Sequence, residues 1–264
     1  MIGLRQLAAA LLFWFGQMAQ RAARLTDYLA IGTRQLSDMR DDSLRTWQAF
    51  YERHRSHDAR LLPWEIDFAD RFLRPGDKVL LIGCGSGRDL LPLAVRHCAV
   101  TGIDPVRSSL DIARRMLAER GLTASLIEGF FEDASIAGTF DAVIFSYYCY
   151  SVIPESRTRV AMLRKAATVL SAGGHIVISV GSNTPRPHRI LVRMGQLSAA
   201  LCGSDWRLEP GDLVWNNREG RPSYSYTHAF EPGEIEREAS TAGLTVVFQR
   251  QAEDNTIVTV VARP

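Results

Sequence analysis

The chain has little net charge of either sign. Its 31 lysines and arginines stand against 29 acids, a formal balance of +2. A dedicated nucleic-acid binder, whose domain is ordinarily strongly basic, is therefore not expected. Cysteine is scarce. Cys84, Cys98, Cys149 and Cys202 make no C-x-x-C pair, which excludes a disulfide framework and a zinc site and reads as free thiols in a reducing compartment. No glycine-rich stretch runs into Gly-Lys-Ser/Thr, so a Walker phosphate loop is absent. There are no internal repeats, and 264 residues suffice for one α/β domain with attachments.

What is present begins at Val79–Asp89, VLLIGCGSGRD. An apolar run of this length, bounded by glycines, reads as a strand buried on both faces. Gly83, Gly85 and Gly87 let the backbone turn sharply and approach a ligand, because no Cβ intervenes. The helix opened by the next residues offers free N–H groups to a polar or anionic group. A dinucleotide turn requires G-x-G-x-x-G. Here the spacing is G-x-G-x-G, with Arg88 where that third glycine would stand, which disfavours a dehydrogenase.

This strand and glycine turn resemble the first motif of the class I S-adenosylmethionine-dependent methyltransferases, hydrophobics followed by GCGxG. The order of elements agrees. A helix is expected over Leu90–His97, a strand over Ala99–Ile103, a helix over Ser108–Arg120, and strands at Ala124–Ile127 and Phe140–Phe145. A helix over Glu155–Leu170, a turn at Ser171–Gly174 and a strand over His175–Val180 follow. Gly181–His228 breaks the rhythm with Pro185, Pro187, Pro210 and Pro222 and one helix around His188–Leu201; a stretch this long is more often functional than passive. A helix at Pro232–Ala242 precedes two alternating runs, Leu244–Arg250 and Thr256–Val261, spaced to pair as a hairpin. The expected fold is a doubly wound, seven-stranded, mostly parallel Rossmann-like sheet with a C-terminal antiparallel strand pair. Residues 1–42 form an N-terminal helical extension, and 43–264 the methyltransferase domain with a substrate-covering insertion at 181–228.

The resemblance implies S-adenosylmethionine as cofactor, held by Gly83, Cys84, Gly85, Ser86 and Gly87. Asp104, at the end of the second strand, would accept both ribose hydroxyls; the alternative is a turn aspartate before Pro105. Gly129 and Phe130 fall where the family packs adenine. An acid is common directly after that glycine, so recognition here passes to backbone groups or to Glu128 or Glu132, with Phe130 or Phe131 against the ring; both phenylalanines could equally be core. Ser146 and Tyr147 follow the fourth strand, where cofactor and substrate meet, and Tyr147 and Tyr148 either wall a sulfonium or merely cover the sheet end. Leu81 stands where the family often has an acid.

Methyl transfer is an in-line displacement that needs alignment more than a fixed triad. The absence of an Asn/Asp-Pro-Pro-aromatic run and of a Pro-Cys nucleophile points to a small-molecule acceptor with an O, N or C nucleophile. An RNA or protein methyltransferase, and a non-catalytic scaffold (kept open by Leu81 and Phe130), are the rival readings. His228 is the candidate base, with Tyr226 beside it in the acceptor site; a loop-holding histidine is its bland alternative. His54 and His57 are weaker candidates, and Tyr51 and Trp64 are candidate lid residues. Among Arg186, Arg189, Arg193, Arg207, Arg218 and Arg221, one could grip a substrate anion, or all are a solvated face. No metal is expected.

Leu4–Ala19 is unusually apolar, with Phe13-Trp14-Phe15 in its middle. It reads as a helix packing on this domain or a partner subunit, as an interfacial membrane helix with Arg21 and Arg24 at the surface, or as a span or signal. A secreted methyltransferase would lack its cytosolic cofactor. The expected location is therefore cytoplasmic, peripheral to the membrane under the second reading.

Overall fold

The computed structural model describes residues 4–53, 58–217 and 223–264. His54, His57, Arg218, Glu219, Arg221 and Pro222 lie outside them. In chain order the helices are α1 (Leu4–Gly32), α2 (Leu36–Arg53), α3 (Pro63–Phe72), α4 (Leu90–Val95), α5 (Arg107–Glu119), α6 (Ser156–Thr168), α7 (Arg189–Cys202) and α8 (Glu234–Thr241). The strands are β1 (Lys78–Ile82), β2 (Ala99–Asp104), β3 (Ser125–Glu128), β4 (Phe140–Phe145), β5 (Leu170–Gly181), β6 (Asp212–Asn217), β7 (Ser223–His228), β8 (Thr245–Gln251) and β9 (Thr256–Ala262). Contacts divide the chain into two compact units, Met1–Ser43 with Arg186–Tyr226, and Leu44–Pro185 with Thr227–Pro264. The N-terminal extension and most of the insertion thus fall in one unit.

The larger unit holds a seven-stranded sheet in the order β3-β2-β1-β4-β5-β9-β8. Strands β1 to β5 pair in parallel, and β9 and β8 add antiparallel, as the expected topology requires. The alternation of β1 sets the two cores. Val79 and Leu81 face one, with Phe68, Leu93 and Ile144; Leu80 and Ile82 face the other, with Val143, Phe145 and Ile178. Strand order reverses between β1 and β4, which makes their carboxyl ends the place where an open α/β sheet binds ligands.

Some elements differ from the sequence reading. Strand β5 starts at Leu170, so Ser171–Gly174 lie inside it and not in a turn. The pairing with β4 shifts register between Phe140 and Ala142, and Gly173, at φ +76°, absorbs the irregularity. Helix α4 is shorter than expected and ends at Val95, before His97 turns left-handed at φ +64°. The two-stranded sheet of β6 and β7 and helix α3 were not expected.

In the smaller unit the C-terminal part of α1 packs on α7. Gly195 permits the close approach, since a Cβ there would collide with Leu208 and stand 2.9 Å from the Tyr28 carbonyl oxygen. Tyr28, Ile31, Val192, Trp206 and Leu208 form the core. The Tyr28 hydroxyl donates to the Asp212 carbonyl at 2.7 Å, and the buried Asp42 accepts from Arg34 at 3.1 Å and from the Tyr224 amide at 3.0 Å.

One buried charge cluster ties α6 to α8. Arg159 is fully buried; it donates to Glu238 at 2.7 and 2.9 Å and lies over the Phe230 ring at 5.1 Å. The Tyr150 hydroxyl donates to the same carboxylate at 2.7 Å. Removing one partner leaves an uncompensated buried charge. Glu238→Ala is predicted to cost about 3–5 kcal/mol in urea unfolding. The apolar pair Arg159→Met with Glu238→Leu should cost much less; equal losses would show that the pairing is not what matters.

Candidate functional site

The turn after β1 places Gly83, Gly85 and Gly87 at φ +76°, +52° and +92°, conformations that glycine adopts freely. The Ile103 carbonyl accepts the amides of Gly83 at 2.8 Å and Cys84 at 3.2 Å. The Leu91 amide donates to the Gly87 carbonyl at 3.2 Å, so the turn runs directly into α4.

Asp104, at the end of β2, knits this turn to two others. Its Oδ2 accepts the Gly85 amide at 2.9 Å. Its Oδ1 accepts the Val106 amide at 2.9 Å and the Ser109 hydroxyl at 3.0 Å. Its carbonyl accepts the Gly129 amide at 3.1 Å. A carboxylate has about four acceptor positions, and three are filled. Burial raises the Asp104 pKa above the ordinary carboxylate range, countered in part by these three hydrogen bonds.

Gly129 sits at φ +151°, with nothing within 4 Å of where a Cβ would be, so the turn after β3 is open there. The two phenylalanines separate. Phe131 is buried in the core, edge-on to Phe145 at 6.5 Å, while Phe130 is half-buried. Glu128 is exposed and Glu132 half-buried.

At the end of β4 the Ser146 amide donates to the Ile82 carbonyl at 3.0 Å, bridging the two strands at the reversal. The Ser146 hydroxyl donates to Asp89 Oδ2. Asp89 is buried, and its Oδ1 has no hydrogen-bond partner among the described residues; the same holds for the Trp64 indole N–H. Both residues line a narrow cavity of about 10 Å³ with Leu81, Glu65 and Ile144. Arg88 donates to both Glu65 oxygens at 2.6 and 2.7 Å. It also stands 3.6 Å from Asp89 and 5.5 Å over the Tyr147 ring. Burial raises the Glu65 pKa, with Arg88 opposing. Tyr147 is half exposed and stacked on Tyr148 at 4.4 Å. Asp89 was missed from sequence because its tie to Ser146 spans 57 positions; the available signal was an acid closing the glycine segment.

Near its C-terminal end α2 sets the Tyr51 hydroxyl over the turn, where a Cβ on Gly85 would collide with it. Burial pushes that phenol far above its ordinary pKa, with Asp104 and Cys84 adding to the rise and the Ser86 backbone countering through a hydrogen bond. Ser86 is itself buried. The Cys84 thiol is also buried. It packs against Gly102, where a Cβ would stand 2.6 Å from the sulfur, so only the Cys84 backbone faces the turn's ligand side. Burial raises its pKa strongly, with Asp104 and Asp89 adding, and takes Cys149 up to about 12. Neither is a ready nucleophile.

His228 is buried, with Nε2 2.8 Å from Glu234 Oε1 and its ring edge-on to Phe230 at 4.7 Å. Burial pushes the Glu234 pKa up. His228, the Glu231 amide and Arg159 together outweigh it and hold the carboxyl below its ordinary range. Tyr226 belongs to the smaller unit, where its hydroxyl donates to Asp212 Oδ1 at 2.8 Å and its ring lies edge-on to Trp206 at 6.0 Å. Arg186, Arg189, Arg193 and Arg207 are exposed.

A glycine turn tied to a buried carboxylate at the reversal of a Rossmann-like sheet defines a nucleotide-cofactor domain. Residues 79–174 match the model of the methyltransferase domain family. A ubiquinone biosynthesis O-methyltransferase of Chromobacterium violaceum is 28% identical over 185 residues, 69% of this chain and 71% of that one. A cypemycin N-terminal methyltransferase of Streptomyces sp is 34% identical over 99 residues, only 38% of this chain and 40% of the relative. Among solved structures, a S-adenosylmethionine-dependent methyltransferase from Clostridium acetobutylicum superposes with TM-score 0.60 at 14% identity, over 83% of this chain and 98% of that one. The glycopeptide N-methyltransferase MtfA complexed with S-adenosylmethionine gives 0.54 at 18% identity, over 75% and 85%. These structural likenesses speak to the fold. The domain match over residues 79–174 and the methyltransferase relatives support a class I S-adenosylmethionine-dependent methyltransferase family.

Gly85→Ala brings both a left-handed alanine and a collision with Tyr51. It is predicted to weaken S-adenosylmethionine binding at least about tenfold by calorimetry, a loss of about 1.4 kcal/mol. Gly121→Ala, also left-handed at φ +62° but with open space around it, should leave the affinity unchanged and cost only about 1–2 kcal/mol of stability.

Proposed function

We propose that the chain methylates a small molecule at an O, N or C nucleophile, with S-adenosylmethionine as donor. The observation that carries this is the Gly85–Asp104 hydrogen bond at the β1–β4 reversal. It pre-forms a glycine cradle beside a buried acceptor. The relatives named as O-methyltransferases favour a hydroxyl as the first acceptor class to test.

The residues fit the cofactor. The Gly83–Gly87 backbone would take the methionine portion and Asp104 a ribose hydroxyl. Gly129 and Phe130 would flank adenine, and Ser146 and Tyr147 would border the acceptor side. Asp89 answers the departure at Leu81: its buried, unpaired oxygen supplies negative charge immediately after the glycine turn, suited to an ammonium or a positive sulfur. Bound there, the cofactor supplies an electrophilic methyl; the chain's own work is to align the acceptor and exclude water. Where the acceptor must lose a proton, His228 is the base we assign. The Glu234 carboxylate at 2.8 Å orients its ring.

Calorimetric titration tests the reading. Micromolar binding of S-adenosylmethionine and S-adenosylhomocysteine is expected, dropping by about tenfold or more in Asp104→Asn as a charge-assisted hydrogen bond becomes a neutral one. Absence of binding by either ligand would sink it. The Asp104 pKa lies above the ordinary carboxylate range, so its protonation begins at higher pH than for an exposed aspartate. Affinity should fall as pH drops through that pKa, whereas Asp104→Asn should show no such step. His228→Gln should lower turnover; a rate unchanged across pH would eliminate the base role.

A further inference from the structure

The first half of α1 is the largest feature that the methyl-transfer site does not use. Leu12, Phe13, Trp14 and Phe15 are 72%, 62%, 60% and 73% exposed. Being consecutive, they point to all sides of a helix with about 3.6 residues per turn. Leu11 immediately before them and Leu7 one turn further back are exposed as well. A helix apolar all round is stable only when immersed. The half that follows is anchored: Tyr28 and Ile31 are buried, the Tyr28 hydroxyl is bonded at 2.7 Å, and the Ser198 hydroxyl donates to the Leu29 carbonyl at 2.7 Å. The exposed half is therefore a continuous arm of a packed helix.

Charge says what the arm meets. Residues 6–20 carry no charge, and Arg5, Arg21 and Arg24 flank them, all three exposed. The first acid is Asp27. Fifteen residues of helix measure about 22 Å, short of the roughly 30 Å of a bilayer's hydrocarbon, and no described helix is long and apolar enough to cross a membrane. A segment too short to cross, with cations at both ends, has both ends at one surface, so its axis lies in the membrane plane. A second copy of the chain, packed helix to helix, would cover one stripe and leave the opposite residues in water.

We propose that residues 5–24 embed in one leaflet of an anionic membrane, the apolar belt in the acyl region and Arg5, Arg21 and Arg24 reaching lipid phosphates. The proposal is independent of the methyltransferase reading.

Co-sedimentation of the full chain with phosphatidylcholine vesicles, with and without phosphatidylglycerol, tests it. The chain should bind the mixed vesicles. Leu12→Glu with Phe15→Glu should reduce the bound-to-free ratio at least about tenfold on both kinds of vesicle. Arg5→Gln, Arg21→Gln and Arg24→Gln together should reduce it about a hundredfold on the anionic vesicles and leave the neutral ones unchanged. Thermal melting by circular dichroism checks that each variant folds, without reference to cofactor. No vesicle binding by the wild-type chain would overturn the proposal. So would a dimer by light scattering that Leu12→Glu with Phe15→Glu dissolves while vesicle binding persists, or equal binding to both vesicles that the arginine changes do not alter.

Discussion

The hydrogen bond from the Gly85 amide to Asp104 is the constraint on which the rest of the candidate site depends. It links the turn after β1 to the end of β2, and the Asp104 carbonyl extends the link to the turn after β3 through Gly129. The left-handed glycines make the turn possible, but glycine lowers the cost of many conformations equally. The carboxylate selects one of them, and burial makes the selection strong, because an unpaired carboxylate there would be costly.

A second carboxylate serves the neighbouring strand pair. Asp89 receives the Ser146 hydroxyl at the β1–β4 reversal, and Arg88 beside it is held by Glu65. Glycine turn, acid and arginine are consecutive in sequence, so one short segment carries both the cradle and its electrostatic surroundings. Away from the site the same logic appears in Arg159 and Glu238, which fasten α6 to α8 and so hold the base of β7's return, where His228 meets Glu234.

How much was legible follows from the range of each interaction. Strand β1 and its turn were plain because a buried strand and glycines at fixed spacing are local signals; the alternation of elements pointed to a mostly parallel sheet, and the seven-stranded topology came from the family resemblance. Strands β6 and β7 were not. Their residues, DLVWNN and SYSYTH, are polar and half-buried and sit in a proline-broken segment, so period-two patterning is weak. Gly173 and Gly174 look like a turn in sequence, yet β5 carries them inside a register shift. Phe130 and Phe131 are identical to any propensity argument; only burial parts them. Asp89 with Ser146, and Arg159 with Glu238, are long-range pairs whose partners cannot be read from either end.

The most direct measurement is hydrogen–deuterium exchange of the full chain with and without S-adenosylmethionine. The account predicts added protection at 83–89, 104–106, 128–131 and 146–149 together, since one ligand would order all four turns. Protection confined to other segments, or none at saturating cofactor, would contradict it.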